Sequence, residues 1–192
     1  MGNLSLFDAH VHLSWFENPE QAAAQAQKLG IAALCCTVTP KEYRDASALL
    51  SKCPNVRVAA GIHPWLVDDS TDAADVADAI SGSPWVGEVG LDFGAKHAHS
   101  KKEQLRVFEA VCEACSGGGK TLSLHSVRSA GTVLDVLEKT GTIDNCRCVF
   151  HWFSGTSKEL ARAKGAGCWF SVGERMLGTR RGLEYARQIP TS

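Results

Sequence analysis

Short apolar runs alternate seven times with longer amphipathic stretches, and that alternation limits the fold more than any other feature of the chain. The runs at 4–13, 31–38, 56–62, 85–91, 121–125, 146–150 and 168–172 have the length and composition of strands. Between and after them the spacing predicts helices over 18–29, 40–52, 71–80, 101–115, 129–139, 157–164 and 179–188. Asn18-Pro19 opens the first helix and Gly30 stops it, while Gly117-Gly118-Gly119 ends the fourth. Strands joined each time by a helix lie parallel, because the crossover returns the chain to the same end of the sheet.

Seven such βα units fit either an open doubly wound sheet or a TIM-type (β/α) barrel. The open dinucleotide-binding form calls for G-x-G-x-x-G between the first strand and its helix, and that pattern is absent. Polar residues recur instead at the C-terminal ends of the first, third, fourth, fifth and sixth strands, where barrel enzymes carry their chemistry. The expected fold is therefore α/β, a barrel with seven βα units present and the eighth strand and helix missing. No linker, repeat or low-complexity tract interrupts residues 1–192, so a single domain is expected.

Those strand ends collect His10, His12, His63, Glu88, Asp92, His125 and His151. Two residues apart on a strand, His10 and His12 project from one face. Five of the chain's seven histidines occupy such positions, whereas His97 and His99 fall in a loop. Histidines that merely filled a core would not track strand ends, so the pattern points to divalent metal. Glu88, between Gly87 and Gly90 at the tip of the fourth strand, is placed to bridge two ions. A pair of ions about 4 Å apart clamps the attacking and leaving oxygens of a displacement. Hydrolysis of a phosphodiester, an amide or a lactone would be served equally.

Composition narrows the setting. Net charge is −1, from 20 basic and 21 acidic residues, so no whole-chain basic footprint for duplex DNA is visible. Small basic groups remain at Lys101, Lys102 and Arg106, and at Arg175, Arg180 and Arg181. No apolar run approaches the roughly 18 residues of a membrane span, and no signal-peptide pattern precedes the first strand. The eight cysteines sit in strand-like and helix-like segments without a second C-x-x-C to match Cys112-x-x-Cys115. Reduced thiols in a cytoplasmic protein are expected.

Asp8-Ala9-His10-Val11-His12, Gly61-Ile62-His63-Pro64, Gly87-Glu88-Val89-Gly90-Leu91-Asp92-Phe93, Leu124-His125-Ser126 and His151-Trp152-Phe153-Ser154-Gly155 follow one another in order. In that order and spacing they resemble the signatures of the TatD family of metal-dependent deoxyribonucleases, within the amidohydrolase-like barrels. The resemblance runs from residue 4 to about residue 177 and takes in Gln104 and Phe108. It implies a two-metal hydrolase acting on DNA or a small phosphodiester, as a 3'-to-5' exonuclease working through a metal-bound water. It further implies that His10 and His12 hold one ion, that His125 and His151 hold the other, and that Glu88 bridges them. Zinc, magnesium or manganese would suit the set. His63 and Asp92 would stand near substrate or in the shell behind the metal ligands, and Arg128 would contact phosphate, although it follows the fifth-strand histidine by three residues where many family members have two.

The family's eighth strand ends in Glu-Thr-Asp, whose aspartate binds metal and activates the water. No acidic residue follows Glu184 here, and the sequence stops at Ile189-Pro190-Thr191-Ser192. A truncated member is expected on this ground, with sheet edges open to association. Alternatives are a related barrel hydrolase of a small ester, lactone or amide, and a catalytically silent fragment.

Overall fold

The computed structural model describes residues 5–190. Seven parallel strands run in chain order: β1 (Leu6–Val11), β2 (Ile31–Cys36), β3 (Val56–Ala59), β4 (Trp85–Asp92), β5 (Thr121–Val127), β6 (Arg147–His151) and β7 (Trp169–Ser171). The helices are α1 (Pro19–Lys28), α2 (Pro40–Leu49), α3 (Ala73–Ser81), α4 (Lys101–Cys115), α5 (Ala130–Lys139), α6 (Thr142–Asn145), α7 (Ser157–Gly165), α8 (Glu174–Leu177) and α9 (Arg180–Gln188). This is the expected α/β architecture of seven βα units. The sheet is not closed: among the described residues β1 and β7 each pair on one side alone. Leu4 and the last two residues lie outside the described range.

Strand pairing divides the sheet into β1-β2-β3 and β4-β5-β6-β7. A single bridge between Ala60 and Val86 joins the halves. Around it, Ala60 N–H donates to the Trp85 carbonyl at 2.9 Å and Gly87 N–H to the Ala60 carbonyl at 2.8 Å. Thr37 and the Gly87-Glu88 segment exchange two further backbone bonds, each 2.9 Å. The third strand stops at Ala59 instead of the expected 62, although Ala60 still bridges to Val86 and His63 N–H donates to the Val38 carbonyl at 3.0 Å. At Gly61 a Cβ would meet the Thr37 carbonyl and the Gly87-Glu88 peptide, so glycine suits this close approach; a 3-10 turn follows at Pro64–Leu66. The first strand likewise ends before His12, which caps a 3-10 turn at Leu13–Trp15.

Helix boundaries follow local chemistry closely. Thr39, Asp72, Thr156 and Thr179 each accept from a backbone N–H in the first turn of the helix that follows. At α7 the box is reciprocal: Thr156 takes the Glu159 N–H while Glu159 takes the Thr156 N–H. Such a cap contributes about 1 kcal/mol. Glu159 also accepts from Gly131 N–H at 2.8 Å, which ties α7 to the start of α5. The main core lies between β4–β7 and the helices α3, α4, α5 and α7, with Phe108, Leu122, Leu134, Phe150 and Leu160 fully buried. Each such side chain contributes roughly 1.5–3 kcal/mol of burial. A smaller cluster of Leu13, Ala23, Cys35, Leu50 and Val56 fills the β1–β2–β3 half.

Gly90 shows how tightly β4 is set. Its φ is +138°, a conformation that side-chain-bearing residues rarely adopt, and a Cβ there would land on the His125 carbonyl oxygen. Backbone on a paired strand cannot move aside as a flexible side chain can. Gly90→Ala should therefore cost about 3 kcal/mol or more, or abolish folding. Thermal unfolding followed by circular dichroism measures this; an unchanged melting temperature would contradict the described packing of β4 on β5.

Candidate metal centre

Glu88 is the centre of the site. It lies on β4, with its carboxylate 4% exposed at the C-terminal end of the sheet. Four imidazoles reach it from three segments. His10 Nε2 is 3.2 Å and His12 Nε2 3.3 Å from Oε2, both presented by β1 and the residue after it. His63 Nε2, at the turn after β3, is 3.6 Å from the same oxygen. His125 Nδ1, on β5, is 2.8 Å from Oε1. Burial alone would raise the Glu88 carboxyl pKa, but the hydrogen bonds from His10, His12, His125 and His63 hold it well below the usual carboxylate range.

The far sides of these rings are held as well. His10 Nδ1 is 2.7 Å from Ser123 Oγ, and His151 Nδ1 is 3.0 Å from Ser171 Oγ. His12 Nδ1 is 3.0 Å from the Cys36 carbonyl oxygen. A carbonyl can only accept, so Nδ1 carries the proton, and in the neutral ring Nε2 presents a bare lone pair. That lone pair faces a carboxylate oxygen at 3.3 Å. Two acceptors at this distance repel unless a cation or a proton stands between them.

Asp92 closes the other end of the site. Its Oδ2 is 3.0 Å from His125 Nε2 and accepts from Trp65 Nε1 at 2.6 Å, while Oδ1 accepts from Gly94 N–H at 2.7 Å. Burial would raise its pKa; the Trp65 and Gly94 donors and His125 lower it. Buried Gln104 fixes the strand end, accepting from Asp92 N–H at 2.8 Å and donating to the His97 carbonyl and Ser100. For His125, burial works to lower the pKa, and the carboxylates of Glu88 and Asp92 on its two nitrogens more than reverse this. His63 goes the other way: burial lowers it in spite of Glu88. Burial, with His10 beside it, takes His151 down to about 3, so this ring is neutral at pH 7.

Two groups have their ligand atoms within 4.8 Å of one another: His10, His12 and Glu88, and His63, Glu88 and His125. The first is the expected trio. In the second, His63 stands where the resemblance puts His151. His151 instead stacks on His10, with centroids 3.6 Å apart and planes at 16°, and lines the same cavity. Asp92 is not a rim residue free to meet substrate, since both of its oxygens are engaged inside the site. Arg128 is placed away from the cavity. Just past β5 its backbone takes φ +54° to turn into α5, and its side chain is exposed on the surface.

The cavity measures about 700 Å³ and is lined by the five histidines, Glu88, Trp15, Trp65, Trp152 and Arg175, with a few aliphatic side chains. Sequence reading passed over the three tryptophans and gave Arg175 little weight. It also passed over Ser123, although its place two residues before His125 puts both on one face of β5. Ser171 and the Cys36 carbonyl carried no readable signal. Among the described residues no helix is long and apolar enough to cross a membrane, and the eight cysteines are free thiols.

Comparison with known proteins identifies relatives of this chain. Residues 7–192 match the profile of the family described as "TatD related DNase". A mouse (Mus musculus) protein named "Putative deoxyribonuclease TATDN3" is 26% identical over 210 residues, covering 98% of this chain and 70% of that protein. Among solved structures, the TatD homologue YJJV of Escherichia coli K12 superposes with a TM-score of 0.82 at 21% identity, covering 96% of this chain and 75% of that one. A TatD-family hydrolase from Entamoeba histolytica gives 0.81 at 17% identity, over 98% and 71% of the two chains. An uncharacterised amidohydrolase from Saccharomyces cerevisiae gives 0.75 at 17% identity, over 98% and 73%. These structural likenesses establish a shared fold, and the profile match extends from β1 to the last residue; the chain belongs to the TatD related DNase family of metal-dependent hydrolases.

Proposed function

We propose that this chain hydrolyses DNA phosphodiester bonds in the cavity around Glu88, using two divalent ions bridged by that carboxylate. The observation that carries the reading is the convergence of His10, His12, His63 and His125 on one nearly buried carboxylate, which forms two three-residue donor groups that share Glu88. That arrangement is satisfied by a cation. His10 and His12 would hold one ion with Glu88, and His125 with Glu88 would hold the second, aided by His63 or by a modest turn of neutral His151. Zinc, manganese and magnesium are all compatible with mixed imidazole and carboxylate donors. Family membership and the printed name of the mouse relative support DNA as the substrate class.

Ions in these places would polarise the scissile phosphate and lower the pKa of a water beside it. The chain's own residues do the rest. Glu88 sets the spacing between the two donor groups. Asp92 accepts the His125 Nε2 proton, which turns Nδ1 toward the centre, and Cys36 does the same for His12 through its carbonyl. A strand seated over these largely apolar walls would displace water from them and strengthen each electrostatic contact at the reacting phosphorus. We assign the direction of attack as 3'-to-5' and exonucleolytic.

The deciding experiment incubates the purified 192-residue chain with a single-stranded oligonucleotide labelled at its 5' end, adding Mg²⁺, Mn²⁺ or Zn²⁺ in turn. A ladder shortening from the 3' end is expected, abolished by chelator and restored by metal. Cleavage of esters or lactones with no action on DNA would favour the small-substrate reading instead.

Two variants test the residue roles. Glu88→Gln keeps the shape and removes the charge between the imidazoles, so hydrolysis should fall by at least about a thousandfold while the circular dichroism spectrum is retained. Asp92→Asn can no longer accept the His125 proton as an anion, and metal affinity measured by calorimetry should fall about 10–100-fold. An Asp92→Asn chain that binds metal as tightly as the parent would remove Asp92 from the supporting shell.

A further inference from the structure

Three tryptophans ring the cavity, and each is exposed: Trp15 by 62%, Trp65 by 55% and Trp152 by 38%. Large aromatic surface left in water is unfavourable, and here it is concentrated at the mouth of the one cavity that holds the acid–imidazole cluster. The rings are not loose. Trp15 lies flat on His12, centroids 4.2 Å apart and planes at 10°, and its Nε1–H donates to Glu42 at 2.8 Å. Glu42 is itself held by Ser14 and by the Val38 N–H. Trp152 stacks on His151 at 4.5 Å, and its indole edge packs against Gly173, where a Cβ would strike the ring nitrogen. Trp65 stacks on His97 at 4.9 Å and is pinned through Nε1 to Asp92.

Trp15, His12, His10, His151 and Trp152 thus form a continuous run of ring contacts across the site. A tryptophan stands at each end of the run, and Glu88 lies against its middle. Arg175, on α8 beside Gly173, is the one cationic side chain other than histidine that lines the cavity. Among the described residues its guanidinium has no hydrogen bond or ion pair with protein. Flat, open, pre-oriented aromatic faces flanking a phosphate-cleaving centre, with a free guanidinium beside them, match one ligand chemistry: planar bases joined through phosphate.

We propose that Trp15 and Trp152 are nucleobase platforms, stacking the bases on either side of the scissile phosphodiester, and that Arg175 holds a phosphate between them. This rests on the phosphodiesterase reading above. Stacking on a fixed indole needs a base face that is not already covered by its neighbours, so the platforms accept an unpaired, splayed strand. Because the rings are held before the strand arrives, little side-chain freedom is lost on binding.

Two measurements test the proposal. The first compares cleavage of a 3'-terminal nucleotide with cleavage of the same strand ending in an abasic residue. The wild-type chain should prefer the base-bearing end, and Trp15→Ala and Trp152→Ala should each reduce that preference at least tenfold, mainly through KM. Trp15→Tyr should recover most of it. The second titrates thymidine 5'-monophosphate in the presence of chelator and follows tryptophan emission. Saturable quenching is expected, weakened at least tenfold in Trp15→Ala and Arg175→Ala and retained in Trp169→Ala, whose ring lies outside the cavity. DNA cleavage with no base preference and no quenching would overturn the platforms and leave the phosphodiesterase reading standing. Quenching that disappears in the variants, in a chain that cleaves no DNA, would support the platforms and overturn that reading. Absence of both would overturn both.

Discussion

A carboxylate surrounded by imidazoles governs the arrangement of this molecule. Glu88 is almost entirely removed from water, and a lone ionised carboxylate could not stay there. It is kept ionised by four histidines that come from β1, from the turn after β3, and from β5. Each must arrive at the same end of the sheet, which a parallel strand order provides and an antiparallel one would not. The requirement extends outward to the groups that fix each ring: Ser123, the Cys36 carbonyl, Asp92, and behind Asp92 the amide of Gln104.

Much of this was legible in the sequence because it is periodic. Placement of His10, His12, His125 and His151 follows from apolar runs that stop just before or at these residues, whereas Glu88 lies within β4, four residues before its end; the parallel order of the strands then brings them together. Helix starts were legible where a side-chain oxygen precedes the first turn, as at Asp72, Thr156 and Thr179. What could not be read is what depends on the third dimension. That His63 and not His151 joins Glu88 and His125 in a donor group depends on how the turn after β3 and the end of β6 sit in three dimensions, and no spacing rule encodes that. Arg128 has a reasonable sequence position for a phosphate contact, yet a left-handed backbone turn sends it to the surface.

The tryptophans illustrate a further limit. Trp15 comes three residues after His12 and Trp152 directly after His151, in positions where an aromatic residue ordinarily reads as core. Their exposure, and the ring-on-ring contacts that hold them, are visible only once the segments after β1 and β6 are seen to share a rim. Trp85, of the same residue type, packs on the small cluster formed by Leu34, Cys36 and Ala59.

The split of the sheet between β3 and β4 gives the site a second role. His10, His12 and His63 belong to the first half, whereas Glu88, Asp92, His125 and His151 belong to the second. Between the strands themselves these halves are stitched by short backbone pairing around Ala60, Thr37 and Gly87, beside the side-chain contacts of the site and the shared core. A cation seated between Glu88 and the β1 histidines would act as a rivet through that seam, since anything that binds the assembled form alone stabilises it in proportion to the logarithm of its concentration. Folding and catalysis would then draw on the same ion. Starvation for metal would register first as a loosening along the seam, before any helix of either half had melted.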